Sequence, residues 1–288
     1  MVLVKDITYL KVRNQTVVKA NDLIQKSRFN LSLQQQKIIL YLISHINEED
    51  DEFNLYEFSI VDFCRVCGID LSNGKNYQDL KQAIKDIADK SLWINLDGDE
   101  ETLLRWIDKP YINKKSGTIK IRLDEDMKPF LLQLKSNFTQ YELIYTLHFK
   151  SKYTIRLYEL IKSIHFFEQR PYNREYKLDD LRRLLGAENY IQYRDFKRRV
   201  LIPSISEINE YSDKRIDFEE IKNGRSVVRI QLTISTKAKL EQMRIRNAID
   251  EELGYDQMSL LDILSAEEDE RNELMDAVAK TRMVSDES

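Results

Sequence analysis

Two parts of the chain repeat one another about 118 residues apart, and this internal repeat constrains the fold more than any other feature. Residues 60–68 (IVDFCRVCG) align with residues 178–186 (LDDLRRLLG), and residues 41–46 align with residues 159–164 at the same offset. Residues 77–84 (YQDLKQAI) align with residues 193–200 (YRDFKRRV) at an offset of 116. Solenoid units span only roughly 20–50 residues. A chain of 288 residues with so long a period is therefore predicted to hold two tandem domains of one design.

The same succession of elements is predicted in both copies: a helix, a short strand, two helices and a β-hairpin. Ser32 is placed to cap the first long helix, and Asn21 to cap a shorter helix before it. Asp97-Gly98, Ser116-Gly117 and Asn223-Gly224 are typical of hairpin turns. The predicted helices cover residues 61–67 and 179–185 and begin near residues 76 and 193; the predicted strands cover residues 53–60, 92–96, 102–107, 118–123, 216–221 and 227–234. This order is that of a winged helix, so we expect an α+β fold with two tandem winged-helix domains.

Charge is distributed unevenly along the chain. Residues 1–137 carry 20 Lys/Arg against 21 Asp/Glu, residues 138–240 carry 20 against 14, and residues 241–288 carry 5 against 14. The expected organisation is an N-terminal segment (residues 1–16), a first winged helix (17–137), a second (138–240), and an acidic, flexible or partly helical tail (241–288). A basic second domain is compatible with a polyanionic partner, although such a charge excess is also found on ordinary protein surfaces.

Several classes of function are disfavoured by the motifs. Cys64 and Cys67 form a lone C-x-x-C without a second cysteine pair, so we expect buried or half-buried thiols and no metal site. Residues 68–76 carry five residues between two glycines, where a phosphate-binding loop needs four, and they are interpreted as a turn. The histidines, at positions 45, 148 and 165, are too far apart in sequence for the paired-histidine metal site of a nickase. No enzyme activity and no cofactor is expected, and with no apolar run long enough to span a membrane the chain is predicted to be cytoplasmic.

Particular motifs resemble those of the initiator replication proteins of iteron-type plasmids, a family with two tandem winged helices. They are VKANDLI at residues 18–24, LQQQK at 33–37, FKRRVLIP at 196–203, EIN at 207–209 and the Gly-Arg pair at 224–225. The resemblance spans roughly residues 17–237. It implies a protein that binds direct repeats at an origin of replication, promotes opening of the duplex and recruits host replication proteins. It also implies a dimer, in equilibrium with the monomer, that represses its own promoter at an inverted repeat.

The helix that begins near Tyr193 is the strongest candidate for contact with double-stranded DNA. If Phe196 and Val200 point inward, helical periodicity places a row of four residues on the opposite side. The row consists of Arg194, Arg198, Ile202 and Ser206, with Ser206 the least secure because Pro203 is expected to kink or restart the helix. Arginines can bind guanine bidentately and an isoleucine can contact a thymine methyl group. Lys197 and Arg199 flank the row and are expected to face phosphates. A solvated basic helix face is the alternative.

The remaining DNA candidates are weaker. Lys222 and Arg225 flank the predicted Asn223-Gly224 turn, where a basic hairpin tip could grip DNA or simply be solvated. In the first copy the corresponding row is Gln78, Gln82 and Asp86 with Lys85 beside it, and the turn at residues 97–101 is acidic. Such a face neutralises few phosphates. The first domain is therefore expected to contact DNA weakly, and the resemblance assigns it the dimer interface.

The tail carries a motif outside the resemblance. Gln257, Leu260 and Leu261 lie in QMSLL, which is similar to the short peptides by which bacterial replication proteins bind the sliding clamp. An amphipathic helix that packs on the second domain is the alternative. For the whole chain, the prediction is a plasmid replication initiator; a winged-helix repressor without initiator activity is the alternative.

Overall fold

The computed structural model describes residues 15–66, 76–96, 100–164 and 170–252, and the chain divides into two compact units at Gln242 and Met243. The first copy contains strands β1 (Thr16–Ala20), β2 (Ser27–Arg28), β3 (Tyr56–Ser59), β4 (Ser91–Asn95), β5 (Glu101–Arg105), β6 (Tyr111–Asn113) and β7 (Thr118–Ile121). Its helices are α1 (Asn21–Gln25), α2 (Leu33–Ile43), α3 (Ile60–Val66), α4 (Asn76–Asp89) and α5 (Lys128–Leu131), the last preceded by a 3₁₀ turn at Glu125–Met127.

The second copy follows directly with strands β8 (Phe138–Glu142), β9 (Tyr172–Lys177), β10 (Lys214–Asn223) and β11 (Ser226–Thr236). Its helices are α6 (Leu143–His148), α7 (Lys152–Ile164), α8 (Leu178–Leu185), α9 (Tyr193–Phe196), α10 (Ile202–Tyr211) and α11 (Lys239–Glu252). A π-helical segment, Lys197–Leu201, joins α9 to α10. Helix, strand, helix, helix and hairpin thus occur in the predicted order in both copies.

Four antiparallel sheets are formed by the described strands. The hairpin of the second copy lies in the order β10-β11-β9, and the first copy contains the sheets β2-β4-β5 and β3-β7-β6. The sequence predicts strands at the positions of β3, β4, β5, β7, β10 and β11 but none at β1, β2, β6 or β8. Strands β2 and β6, with two and three residues, are too short to show alternation. Strand β1 pairs with β8, with Val18 opposite Gln140, so that backbone bonding continues across the expected domain boundary at residue 137.

Helix caps confirm one sequence prediction and correct another. Ser32 caps α2 through a capping box: its Oγ accepts from the Gln35 N–H at 3.2 Å, and its own N–H donates to Gln35 Oε1 at 2.9 Å. The prediction that Asn21 caps α1 is wrong. Asn21 is the first residue of the helix, and its Oδ1 accepts a hydrogen bond from Thr139 Oγ1 of β8 at 2.6 Å. A tertiary partner has displaced the local capping bond.

Apolar residues that recur at helical spacing form the core. Leu80, Ile84 and Ile87 of α4 are at most 1% exposed. In the second copy, Ile155, Tyr158 and Ile161 of α7 are equally buried, and α7 packs against both α10 and α1. Helix α7 therefore contacts elements of both copies.

Charged side chains are buried where β1 meets α7. Lys19 Nζ donates to Glu159 Oε1 at 2.6 Å, and Tyr141 Oη donates to the same oxygen at 2.5 Å. Burial lowers the pKa of Lys19, and the charge of Glu159 opposes that shift. One helical turn earlier on α7, the buried Arg156 donates to the backbone oxygens of Leu184 at 2.9 Å and of Ile24 at 3.3 Å. Removal of either Lys19 or Glu159 would leave the other buried without its opposite charge.

We expect Glu159→Ala to lower the free energy of unfolding by about 3–5 kcal/mol, because Lys19 would remain buried and unpaired. The control is Glu57→Ala, which breaks the exposed Lys120–Glu57 pair of 3.2 Å and should cost at most about 1 kcal/mol. Urea unfolding of both variants measures the difference. Equal losses would show that the buried pair has no special role.

Candidate nucleic-acid interface

Residues 193–211 form one uninterrupted helical segment, hereafter the long helix. Its backbone stays helical through the π segment, and the Ile202 N–H donates to the Lys197 oxygen, five residues earlier. Pro203, which has no N–H to donate, lies in the first turn of α10 directly after this segment. The α-helix restarts beside this proline, one of the two predicted outcomes, with α10 beginning at Ile202, and the backbone stays helical across the junction.

The long helix buries one side and exposes the other. Phe196 and Val200 are fully buried, which confirms the predicted inward face, and the other buried residues of the helix are Leu201, Ser204, Ile205 and Ile208. The predicted outward row of Arg194, Arg198, Ile202 and Ser206 is exposed along its whole length. In an α-helix, a step of four residues rotates a side chain slightly more than one full turn about the helix axis. In the wider π segment, the same step rotates it by less than one full turn. The π segment thus keeps the row closer to a straight line.

The cations of the long helix differ in how they are paired. Arg198 is 66% exposed and lies 3.5 Å from Asp195, a weak contact that leaves its guanidinium accessible. Arg194 and Arg199 are exposed and form no ion pair with any other residue that the structure describes. Lys197, by contrast, donates to Glu220 Oε1 of β10 at 2.7 Å. Three arginines on this surface are therefore accessible, and the lysine is engaged.

Glu220 links the long helix to the hairpin. Its Oε1 also accepts from Tyr193 Oη at 2.7 Å, and its Oε2 lies 3.7 Å from Lys222 Nζ. The hydrogen bond from Lys197, then that from Tyr193, lowers the pKa of Glu220, so its carboxylate stays charged at neutral pH. No local pattern in the sequence assigns Glu220 to this surface, because its partner Lys197 is 23 residues away.

The hairpin tip differs in detail from the sequence prediction. Asn223 pairs with Ser226, so the two-residue loop consists of Gly224 and Arg225 instead of Asn223 and Gly224. Gly224 has a φ of 60°, a conformation that favours glycine. Arg225 is therefore at the tip itself, while Lys222 is on the strand and 56% exposed. The register shifts by one residue beside Lys222, where Val228 is the extra, exposed residue.

The corresponding face of the first copy carries little free positive charge. Gln78 and Gln82 are exposed on α4, and Gln82 Nε2 donates to Asp86 Oδ1 at 2.6 Å. Lys85 is exposed and paired with Asp89. Of the predicted acidic turn at residues 97–101, residues 97–99 lie outside the described residues, and Glu101 is the first residue of β5. Lys85, the cation beside the predicted row, is therefore paired with a carboxylate of its own helix.

Two further exposed features of the second copy have no local signal in the sequence. Ile191, two residues before the helix, is 78% exposed. Arg174 and Arg229 are exposed on the sheet that carries the hairpin; Arg174 lies over the Tyr176 ring, and Arg229 pairs with Glu175 at 3.0 Å. The pairing of β9 with β11 brings these two arginines onto one sheet with the hairpin. Because these strands are distant in sequence, their pairing depends on the tertiary structure.

The described residues give no sign of a metal centre. Within residues 15–66, 76–96, 100–164 and 170–252, no three His, Cys, Asp or Glu side chains come together as metal ligands would. Cys64 is a buried free thiol as predicted, while Cys67 lies outside the described residues. No helix in the described ranges has the length and apolar content needed to cross a bilayer.

Comparison with known proteins identifies both copies. Residues 16–162 match the model described as "Initiator Replication protein, WH1", and residues 177–234 match "Initiator Rep protein, WH2". A replication initiation protein of Escherichia coli is 28% identical over 220 residues, which cover 73% of this chain and 66% of that protein. This chain thus spans slightly less than two thirds of that relative. A crystal structure of the Pi initiator protein in complex with iteron DNA matches 79% of this chain and 99% of its own, with a TM-score of 0.64 and 18% identity.

Burial raises the pKa of the Cys64 thiol to about 11. At pH about 8 its thiolate fraction is then on the order of 0.1%, against roughly a quarter for an ordinary thiol. In a Cys67→Ser variant, we expect a disulfide reagent to modify Cys64 at least about a hundredfold more slowly in the folded than in the urea-unfolded protein. Equal rates, or tight binding of one zinc ion by the wild-type chain, would contradict the assignment of a buried structural thiol.

Proposed function

The chain belongs to the initiator replication protein family, with both winged-helix domains present, and from this premise we propose that it is a non-enzymatic plasmid replication initiator. In this proposal it binds direct repeats at an origin, helps to open the adjacent duplex and recruits host replication proteins. The observation that supports DNA binding most directly is the exposed row on the long helix. The Pi initiator, whose fold this chain shares, was crystallised with iteron DNA.

We assign base contacts to the outward row. Arg194 and Arg198 can each bind a guanine edge with two hydrogen bonds, and Ile202, 46% exposed, can contact a thymine methyl group. Arg199 at the flank and Arg225 at the hairpin tip, both exposed, are assigned to phosphates. Lys222 is assigned to phosphates as well. In an initiator with this arrangement, base contacts determine which DNA sequence is bound, and phosphate contacts contribute most of the affinity.

We propose different tasks for the two domains. In the second, exposed arginines meet the DNA. In the first, Gln78, Gln82 and Lys85 make at most weak contacts, because Gln82 and Lys85 are each bonded to an aspartate of the same helix. The first domain is then free to form a homodimer, which would repress the chain's own promoter at an inverted repeat, while monomers bind the direct repeats. The proposed domain limits remain residues 17–137 and 138–240.

A repressor without initiator activity is the other candidate. It would use the same DNA face but would not need to recruit replication proteins. The tail bears on this choice, because Gln257, Leu260 and Leu261, which lie outside the described residues, form the candidate motif for a sliding clamp. Binding to the clamp would favour the initiator.

We expect Arg198→Ala to weaken binding to origin repeats by about 1–3 kcal/mol and to reduce the preference over a scrambled duplex, as loss of a bidentate base contact should. The matched variant is Arg198→Lys, which keeps the charge but loses the planar fork. Fluorescence titration with direct repeats from the DNA beside the gene measures both. Arg198→Lys should lose most of the preference while it retains affinity for scrambled DNA.

If Arg198→Ala weakens binding to repeat and scrambled duplexes equally, Arg198 contacts a phosphate and not a base. If both variants bind the repeats like wild type, the long helix is not the DNA-reading element. The second outcome would remove the main support for the proposed function.

We expect the triple change of Gln257, Leu260 and Leu261 to Ala to abolish binding to the sliding clamp and to leave repeat binding intact. The glutamine would hydrogen-bond at one end of the clamp groove, and the two leucines would fill an apolar pocket at the other. Binding to surface-immobilised clamp is measured for the wild type and the triple variant, and a thermal melt of both proteins measures any loss of stability. Unaltered clamp binding, or a large fall in the melting temperature, would favour a tail helix that packs on the second domain.

A further inference from the structure

Glu220 is an acidic residue within the surface that is proposed to bind an anion. Its side chain is only 21% exposed, and its carboxylate lies between the long helix and strand β10 of the hairpin. Of the two lysines near it, Lys197 is in direct contact at 2.7 Å and Lys222 is at 3.7 Å. An acid at this position reduces the electrostatic attraction of the surface for any DNA. Its presence therefore calls for a role that offsets this loss.

The contacts of Glu220 indicate how it acts. Tyr193 and Lys197 are one helical turn apart, and both donate to the same carboxylate oxygen at 2.7 Å. The Lys197 ammonium also lies over the Phe218 ring, at 5.6 Å from its centre. Glu220 and Phe218 therefore hold the Lys197 ammonium group against the hairpin. On the neighbouring positions of the helix, the guanidinium groups of Arg194, Arg198 and Arg199 are exposed.

We propose that Glu220 is a specificity-determining residue of this DNA face, because it withholds Lys197 from the phosphates. A lysine on a flexible stem binds the backbone of any sequence, so an unpaired Lys197 would stabilise correct and incorrect complexes alike. Held by Glu220, it contributes little to either. Discrimination then depends on the arginines that can reach base edges. This inference rests on the proposed function, since it assumes that the long helix faces DNA.

Five proteins test the proposal: wild type, Glu220→Gln, Lys197→Gln, the double variant with both changes, and Glu219→Gln as the charge-matched control. Glu219 is the neighbouring exposed residue of β10, so its replacement removes the same charge without releasing Lys197. The probe is a scrambled duplex, for which affinity is measured as a function of salt concentration. A repeat-bearing duplex from the DNA beside the gene is titrated in parallel.

For Glu220→Gln, we expect the slope of log affinity against log salt on scrambled DNA to steepen by about 0.9, the value for one extra phosphate contact. This corresponds to a loss of affinity between about 50 and 200 mM salt that is larger by roughly three- to fourfold. Preference for the repeat should fall correspondingly. Glu219→Gln and the double variant should both keep the wild-type slope, and so should Lys197→Gln alone.

The proposal is overturned if Glu220→Gln and Glu219→Gln behave alike, since total charge would then explain the effect. It is also overturned if Lys197→Gln alone makes the slope shallower, because Lys197 would then already contact a phosphate in the wild-type complex. The proposed function fails in a different way, through equal affinity of the wild type for repeat and scrambled duplexes. In that case Glu220 has no specificity to determine, and the slopes on scrambled DNA show only whether it withholds Lys197 from phosphates.

Discussion

The buried ion pair between Lys19 and Glu159 is the constraint on which the arrangement of the two copies depends. Two charges removed from water cost several kcal/mol each unless their geometry compensates them. Here a strand near the N-terminus and the central helix α7 must meet at 2.6 Å to satisfy that requirement. Arg156, on the same helix, then binds the Leu184 oxygen near the end of α8. Through these contacts the first copy is tied to the helix that precedes the long helix.

The candidate DNA surface combines local and distant determinants. A π segment before Pro203 keeps the outward row of the long helix aligned while Phe196 and Val200 stay in the core. Glu220 then joins that helix to the hairpin through Tyr193 and Lys197. Exposed arginines with different degrees of pairing are the result. The positive charge available on this surface consequently depends as much on which cations are paired with carboxylates as on how many cations there are.

Features encoded within one turn of chain could be predicted from the sequence, and features encoded by distant contacts could not. The Ser32 cap, the inward face formed by Phe196 and Val200 and the succession of elements follow from local spacing, and the structure confirms them. Asn21 was misassigned because its side chain bonds to Thr139, 118 residues away. Pairing of β1 with β8, the position of Arg225 in its turn and the contact of Glu220 all depend on register or packing. Residue types alone do not reveal these.

The central claim is that this chain recognises direct repeats as an initiator does. Footprinting of the DNA beside its gene with the full-length protein tests that claim most directly. The account predicts several tandem protected segments that share one sequence in one orientation, and a separate protected inverted repeat at the promoter. Protection of the inverted repeat alone would indicate a repressor, and an absence of protected repeats would contradict the account.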